Sequence, residues 1–129
     1  MLVSLLLFTG VGIAGACGSV ARYLLGRIIM EHMKGSFPWG TFVINVTGAW
    51  CIGLVFALAG QHVLSKELQT VLATGFLGGY TTFSTMHWEG VQLMRGGRRF
   101  QGIFYLIVTY MLGLSMEAVG MWLGWEITR

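Results

Sequence analysis

Gly75-Phe-Leu-Gly-Gly-Tyr-Thr-Thr-Phe-Ser-Thr85 lies in the middle of an apolar run, yet it does not read as an ordinary membrane helix. Two adjacent glycines followed by Thr81, Thr82, Ser84 and Thr85 make a poor recipe for a continuous helix. Glycine loses the most backbone entropy there, and short hydroxyl side chains compete for the backbone's own hydrogen bonds. Backbone that is not helical survives at membrane depth only where it is buried in protein or lines a cavity. Broken helices also put carbonyl and N–H groups where ions can bind. A packing interface rich in glycine and threonine is the other reading of the same residues.

Outward from this stretch, the charge pattern supplies the frame. Leu68–Trp88 contains no Lys, Arg, Asp or Glu, and neither do Met1–Ala21, Gly35–Ser65 and Phe100–Met116. A hydrocarbon core of about 30 Å needs roughly 20 apolar residues per helix. Three of these windows reach that length, and the last does so if Glu117 is tolerated and the segment runs on to Trp125. The chain of 129 residues is 55% hydrophobic and 10% charged, where soluble domains run at about 25% charged. The expectation is an all-α membrane protein forming a single domain over 1–129, with four transmembrane helices near 2–30, 40–62, 68–94 and 100–126. Short loops use up the remainder, and no length is left for a soluble catalytic domain. The net charge of +3 does not point to nucleic acid, because most of the eight Lys and Arg flank apolar spans, as membrane-bordering residues do.

The polar residues inside the spans are the candidates for function. Small residues at three- and four-residue spacing fill the first span, from Gly10 to Gly26, and let helix backbones approach closely. Arg22 near its end either snorkels to the interface or faces a polar cavity. Asn45, the strongest polar group of the second span, either bridges helices or lines a wet path, since an unpaired amide in hydrocarbon is costly. In the fourth span Tyr105, Thr109, Gly113 and Glu117 recur every four residues and form one ridge. Glu117 is an acidic group well inside an apolar span, a functional candidate by default. Cys17 and Cys51 read as small packing residues. His32, His62 and His87 read as interfacial, and with no constellation of His, Cys and acid the chain is not expected to be an enzyme.

Three motifs in order carry a family likeness: Gly15-Ala-Cys-Gly-Ser-Val-Ala-Arg-Tyr23, Gly40-Thr-Phe-Val-Ile-Asn-Val-Thr-Gly48 and the opening Gly75–Thr85 stretch. Over essentially its whole length the chain resembles the small four-helix fluoride channels of the Fluc or CrcB family. The resemblance implies passive, selective passage of fluoride across a cell membrane, here a bacterial inner membrane, which protects the cell from accumulated fluoride. It also implies an antiparallel dimer with two pores. A structural sodium ion on the dimer axis would be held by the backbone carbonyls of Gly78 and Thr81. Carried over as pathway residues are Asn45, Phe83, Ser84, Thr85, Tyr105, Thr109 and Thr41, with Arg22 and Glu89 as vestibule or structural charges. The family's second pore aromatic falls on Met86, where this chain departs from the pattern. A thioether has no ring edge to offer an anion, so either the pore tolerates the change or the pore that this residue serves is impaired. Glu117 has no equivalent in the family pattern.

The chemistry is compatible with such a path. Fluoride is small and strongly hydrated, and a selective route must replace its water with donors. Asn, Ser, Thr and Tyr supply donors without fixed charge, which suits an ion that must bind and also leave. One rival is a small proton-coupled multidrug transporter, also built from four helices. It needs an embedded carboxylate, and the first span has none before Glu31. The other rival is a non-conducting assembly subunit, which leaves Phe83 within its Thr/Ser cluster unexplained. Lys66 and Arg129 lie on the side of the termini, against Arg27, Lys34, Arg95, Arg98 and Arg99 on the other. That bias of two against five places the termini outside. It is compatible with an antiparallel homodimer that tolerates it, or with a heterodimer whose partner inserts oppositely.

Overall fold

The computed structural model describes every residue, Met1–Arg129, and contains helices and no strands. The first helix is Leu2–His32, the second Trp39–Gly60 and the last Arg99–Ile127. The third span comes in two pieces, a leading rod over 66–80 and a trailing helix Phe83–Arg95. The three unbroken helices are each long and apolar enough to cross a membrane. At about 1.5 Å per residue the shortest of them, with 22 residues, reaches about 33 Å, against about 30 Å of hydrocarbon. The broken span packs against them as a fourth, bent helix, and the protein is a multi-pass membrane protein.

The element ends have local causes. The second helix stops at Gly60, short of the expected residue 62, because the chain turns and His62 takes a left-handed φ of 60°. The third span starts at Lys66 rather than 68, because the Ser65 hydroxyl accepts the Leu68 N–H at 3.1 Å and caps it. The break is narrower than the sequence suggests. Helix continues through Gly78–Tyr80, and only Thr81 and Thr82 are extended. The glycines upstream stay helical because they serve close packing, which overrides their propensity. One feature of this rod has no counterpart in the expectation: Thr70–Leu77 is π-helical, with wide turns closed by bonds five residues apart.

Glycine seams join the helices. Lipid offers helices no hydrophobic reason to associate, so packing relies on close backbone approach. The second and fourth helices share the largest interface, the first lies on the leading rod of the third span, and the trailing helix lies on the fourth. A Cβ on Gly18 would overlap the Phe76 carbonyl, and one on Gly79 would overlap that of Gly15. The second and fourth helices repeat the arrangement reciprocally, Gly53 against the Glu117 carbonyl and Gly120 against that of Trp50. Gly102 meets the Gly90 carbonyl in the same way.

The outside is apolar. Only 20 of 129 residues are buried, and the accessible surface is 8272 Å². A soluble globule of 14.2 kDa exposes about 6,800 Å². Leu2, Phe8, Ile13 and Val20 on the first helix and Phe104, Ile107, Leu114 and Trp122 on the fourth are all more than half exposed or close to it. Such a surface needs an apolar solvent.

Gly53→Val should therefore separate the second and fourth helices at a cost of about 1–3 kcal/mol, and lower the unfolding midpoint in detergent. Gly12→Ala, with nothing within 4 Å of an added Cβ, should not lower it. Equal midpoints for the two variants would remove the seam as a source of stability.

Candidate functional site

The site is built on the break in the third span. The helical ladder ends where the Thr81 N–H reaches the Leu77 carbonyl at 2.9 Å. In a continuous helix the next N–H, that of Thr82, would reach the Gly78 carbonyl. It turns instead to Asn45 Oδ1 at 2.9 Å, while Asn45 Nδ2 donates to the Thr82 carbonyl at 3.0 Å. One amide side chain of the second helix thus satisfies both backbone groups of a buried residue, as an apolar surrounding demands. Thr82 then opens the trailing helix. Its hydroxyl oxygen accepts the Thr85 N–H at 3.3 Å and its O–H donates to Thr85 Oγ1 at 2.9 Å.

Two grooves flank the break. The first, of about 280 Å³, is walled by Asn45, Thr81, Phe83, Met86, Thr109 and, toward its end, Glu117. It carries no Lys or Arg. The Phe83 ring is 65% exposed and meets Tyr110 edge-on at 5.5 Å. Met86 is 2% exposed and packs with Leu93 and Tyr105. The Thr109 hydroxyl donates to the Tyr105 carbonyl at 2.6 Å and keeps only its lone pairs for the groove.

The second groove, of about 390 Å³, is lined by Arg22, Thr41, Thr82, Thr85 and Glu89 among others. Glu89 accepts one hydrogen bond on each oxygen, from Thr41 Oγ1 and from the Tyr105 hydroxyl, both at 2.9 Å. Arg22 Nη1 donates to the Thr81 carbonyl at 3.2 Å. Of its two possible placements, Arg22 takes the one facing a polar cavity. Asn45 combines both of its alternatives, bridging helices and lining a groove.

The structure thus divides the candidate residues. Asn45, Phe83, Met86 and Thr109 share one groove, whereas Thr41, Thr85, Arg22 and Glu89 share the other. Tyr105 has no exposed surface and stands between them as the donor to Glu89. Ser84 is exposed and outside both. The ridge seen in the fourth helix is one face: Thr109, Gly113 and Glu117 all border the first groove. Tyr110 also borders this groove and was not singled out as a site residue by sequence; nor was His87 beside it, whose Nε2 lies 2.9 Å from the Tyr110 Oη. The signal available was His87 one helical turn after Phe83. Cys17 and Cys51 are free. No cluster of His, Cys, Asp and Glu gathers to hold a metal.

Comparison with known proteins adds the following. The family model described as CrcB-like protein, Camphor Resistance (CrcB), matches residues 9–121. Among curated relatives, Fluoride-specific ion channel FluC 2 of Clostridium acetobutylicum is 42% identical over 104 residues, covering 81% of this chain and 86% of its own. Fluoride-specific ion channel FluC 1 of Leifsonia xyli is 42% identical over 119 residues, covering 92% and 87%. Fluoride-specific ion channel FluC of Thermus thermophilus is 38% identical over 114 residues, covering 88% and 91%.

Removing the amide of Asn45 tests the geometry of the break. Asn45→Ala leaves the Thr82 N–H and carbonyl unpaired, at about 1–3 kcal/mol for each group. Amide exchange over 78–85 in a lipid nanodisc should speed up by about tenfold or more. Asn45→Asp keeps the acceptor and should protect the Thr82 N–H better than Ala does. Unchanged exchange in Asn45→Ala would show that other contacts hold the break.

Proposed function

The chain belongs to the CrcB family, and from that membership and the groove at the break we propose that it is a fluoride-selective channel, passing the ion down its electrochemical gradient. The observation that carries this reading is the first groove: an amide with one hydrogen to spare and an exposed aromatic ring, with no Lys or Arg to trap an anion. Asn45 keeps one amide hydrogen free after its bond to Thr82, so it can donate to an ion without releasing the backbone. Phe83 presents the positive edge of its ring. Met86 adapts its thioether to the groove wall and lends no such edge. Thr41 and Tyr105 act through Glu89, whose carboxylate they hold on both oxygens. Thr85 closes the cap on Thr82, while Ser84 is exposed outside both grooves.

The break also fits a hard monovalent cation bound through oxygen. The Gly78 carbonyl loses its usual helical donor to Asn45. The Thr81 carbonyl spends one lone pair on Arg22 and retains another. No carboxylate lies at these carbonyls to demand a divalent ion. Gly78 and Thr81 would hold sodium, two oxygens from each of two subunits. When bound, the ion would supply a positive charge to offset the carbonyl dipoles at the break. An antiparallel homodimer would cover part of the apolar surface that lipid otherwise meets.

Purified protein in liposomes should release fluoride down its gradient, with chloride far slower and with no ATP or proton gradient required. Phe83→Ile should lower the fluoride rate by about tenfold or more, equivalent to losing about 1.4 kcal/mol of ion stabilisation. Similar fluoride and chloride efflux would overturn selectivity. Flux appearing only after a second, oppositely inserted subunit is added would replace the homodimer by a heterodimer.

A further inference from the structure

His87 lies on the trailing helix, one turn beyond Phe83, and none of the roles above uses it. Its Nδ1 is 2.8 Å from the Phe83 carbonyl and its Nε2 is 2.9 Å from the Tyr110 hydroxyl. Its ring lies 4.5 Å from that of Phe83 and 5.9 Å from that of Tyr110, and Phe83 meets Tyr110 edge-on at 5.5 Å. The three rings form one cluster, and two of them, Phe83 and Tyr110, border the first groove.

The chemistry of these contacts assigns the hydrogens. A carbonyl oxygen only accepts, so the hydrogen in the Phe83 contact sits on Nδ1 of His87. In a neutral imidazole the other nitrogen is then a bare acceptor. The Tyr110 hydroxyl must donate to Nε2, and its hydrogen is directed at the imidazole instead of the groove. When His87 takes up a proton, Nε2 becomes a donor. Tyr110 must then accept, and its O–H hydrogen is released from the imidazole. A hydroxyl on the groove wall is thereby converted from an occupied donor to a free one, and a positive charge arrives beside Phe83.

Few other ionisable groups compete with this switch. The second helix, Trp39–Gly60, carries no Lys, Arg, Asp or Glu. Its Cys51 packs on the Ile44, Leu77 and Tyr80 cluster. On the fourth helix, Tyr105 is committed to Glu89, and Glu117 stands toward the end of the groove. Arg99 lies at that helix's start, about three turns before Tyr110. On the trailing helix itself, Glu89 holds its own partners and Arg95 is two turns onward. Neither forms an ion pair with His87.

We propose that His87 is a positioning residue for the Tyr110 hydroxyl, and that its protonation raises fluoride passage by freeing that hydroxyl to donate into the groove. The inference rests on the fluoride reading above. Its signature is a one-proton rise in flux as pH falls.

The test uses full-length protein in liposomes, with fluoride efflux measured from pH 8 to 5.5 and the leak of protein-free liposomes subtracted at each pH. Wild-type flux should rise about threefold or more toward acid, the scale of one added neutral hydrogen bond. His87→Gln and Tyr110→Phe should each flatten the profile, whatever their absolute rates. Nitrogen-15 spectra of the wild type at pH 8 should show the hydrogen on Nδ1 of His87, a result that needs neither flux nor a variant. A flat wild-type profile, a rise that survives in both variants, or the hydrogen on Nε2 would overturn the inference and leave fluoride conduction intact. Absence of fluoride efflux from the wild type at every pH would overturn both readings.

Discussion

The exchange of two hydrogen bonds between Asn45 and the backbone of Thr82 is the constraint from which the rest of the site follows. Within a bilayer each unpaired backbone group costs several kcal/mol, so a break needs a partner that can both give and take. An amide side chain does both from one position, which a hydroxyl or a carboxylate cannot do as well in neutral form. Once Thr82 is held in this way, the Gly78 carbonyl has lost its helical donor. The Thr81 carbonyl can turn to Arg22, and the chain is free to start a new helix with Thr82 as its cap. Phe83 is the first residue of that helix. Its exposed position is therefore a direct consequence of where Asn45 stops the preceding rod.

The glycine seams give this arrangement its rigidity. Asn45 can hold Thr82 only while the second helix stays against the break. Gly48, whose absent Cβ makes room for Thr81 and Tyr80, sets that approach. The Gly53 and Gly120 contacts then fix the fourth helix to the second, and with it the Thr109–Glu117 wall. A second polar network, with Glu89 shared by Thr41 and Tyr105, joins the second, third and fourth helices near the other end. A carboxylate bonded on both oxygens by neutral hydroxyls remains in place without a cation. The polar groups of the site thus also act as struts.

Much of this was legible in the residues, and what was not has physical reasons. The charge-free windows located the three unbroken apolar helices and the bent one, because the bilayer imposes a length that composition records directly. The break was legible as a stretch, Gly75–Thr85, but not as the two residues Thr81 and Thr82. Glycine propensity argues against helix, whereas packing against Gly15 and Ala14 favours it, and that contact is invisible along the chain. Four-residue spacing revealed the Tyr105–Glu117 face. It could not reveal that the Tyr105 hydroxyl is taken by Glu89 and that of Thr109 by a carbonyl, since spacing gives a face and not a partner. His87, read as interfacial, touches Phe83 one turn back on its own helix, a contact spacing could have shown, and Tyr110 on the fourth helix, an association that only the crossing of two helices creates.

The wide turns at Thr70–Leu77 bear on how such a chain tolerates change in length. Each π turn encloses one more residue than the α turn it replaces, so this rod stores surplus residues between the Ser65 cap and the Asn45 anchor. Removing one residue there can be absorbed by tightening a wide turn into an ordinary one, with both anchors kept in register. The same deletion in the fourth helix has no slack to draw on. It would rotate everything beyond it by about 100°, the angle per residue of an α-helix, and carry Glu117 and Gly120 off the seam. Evolutionary insertions and deletions in the membrane portion should therefore collect in the leading rod.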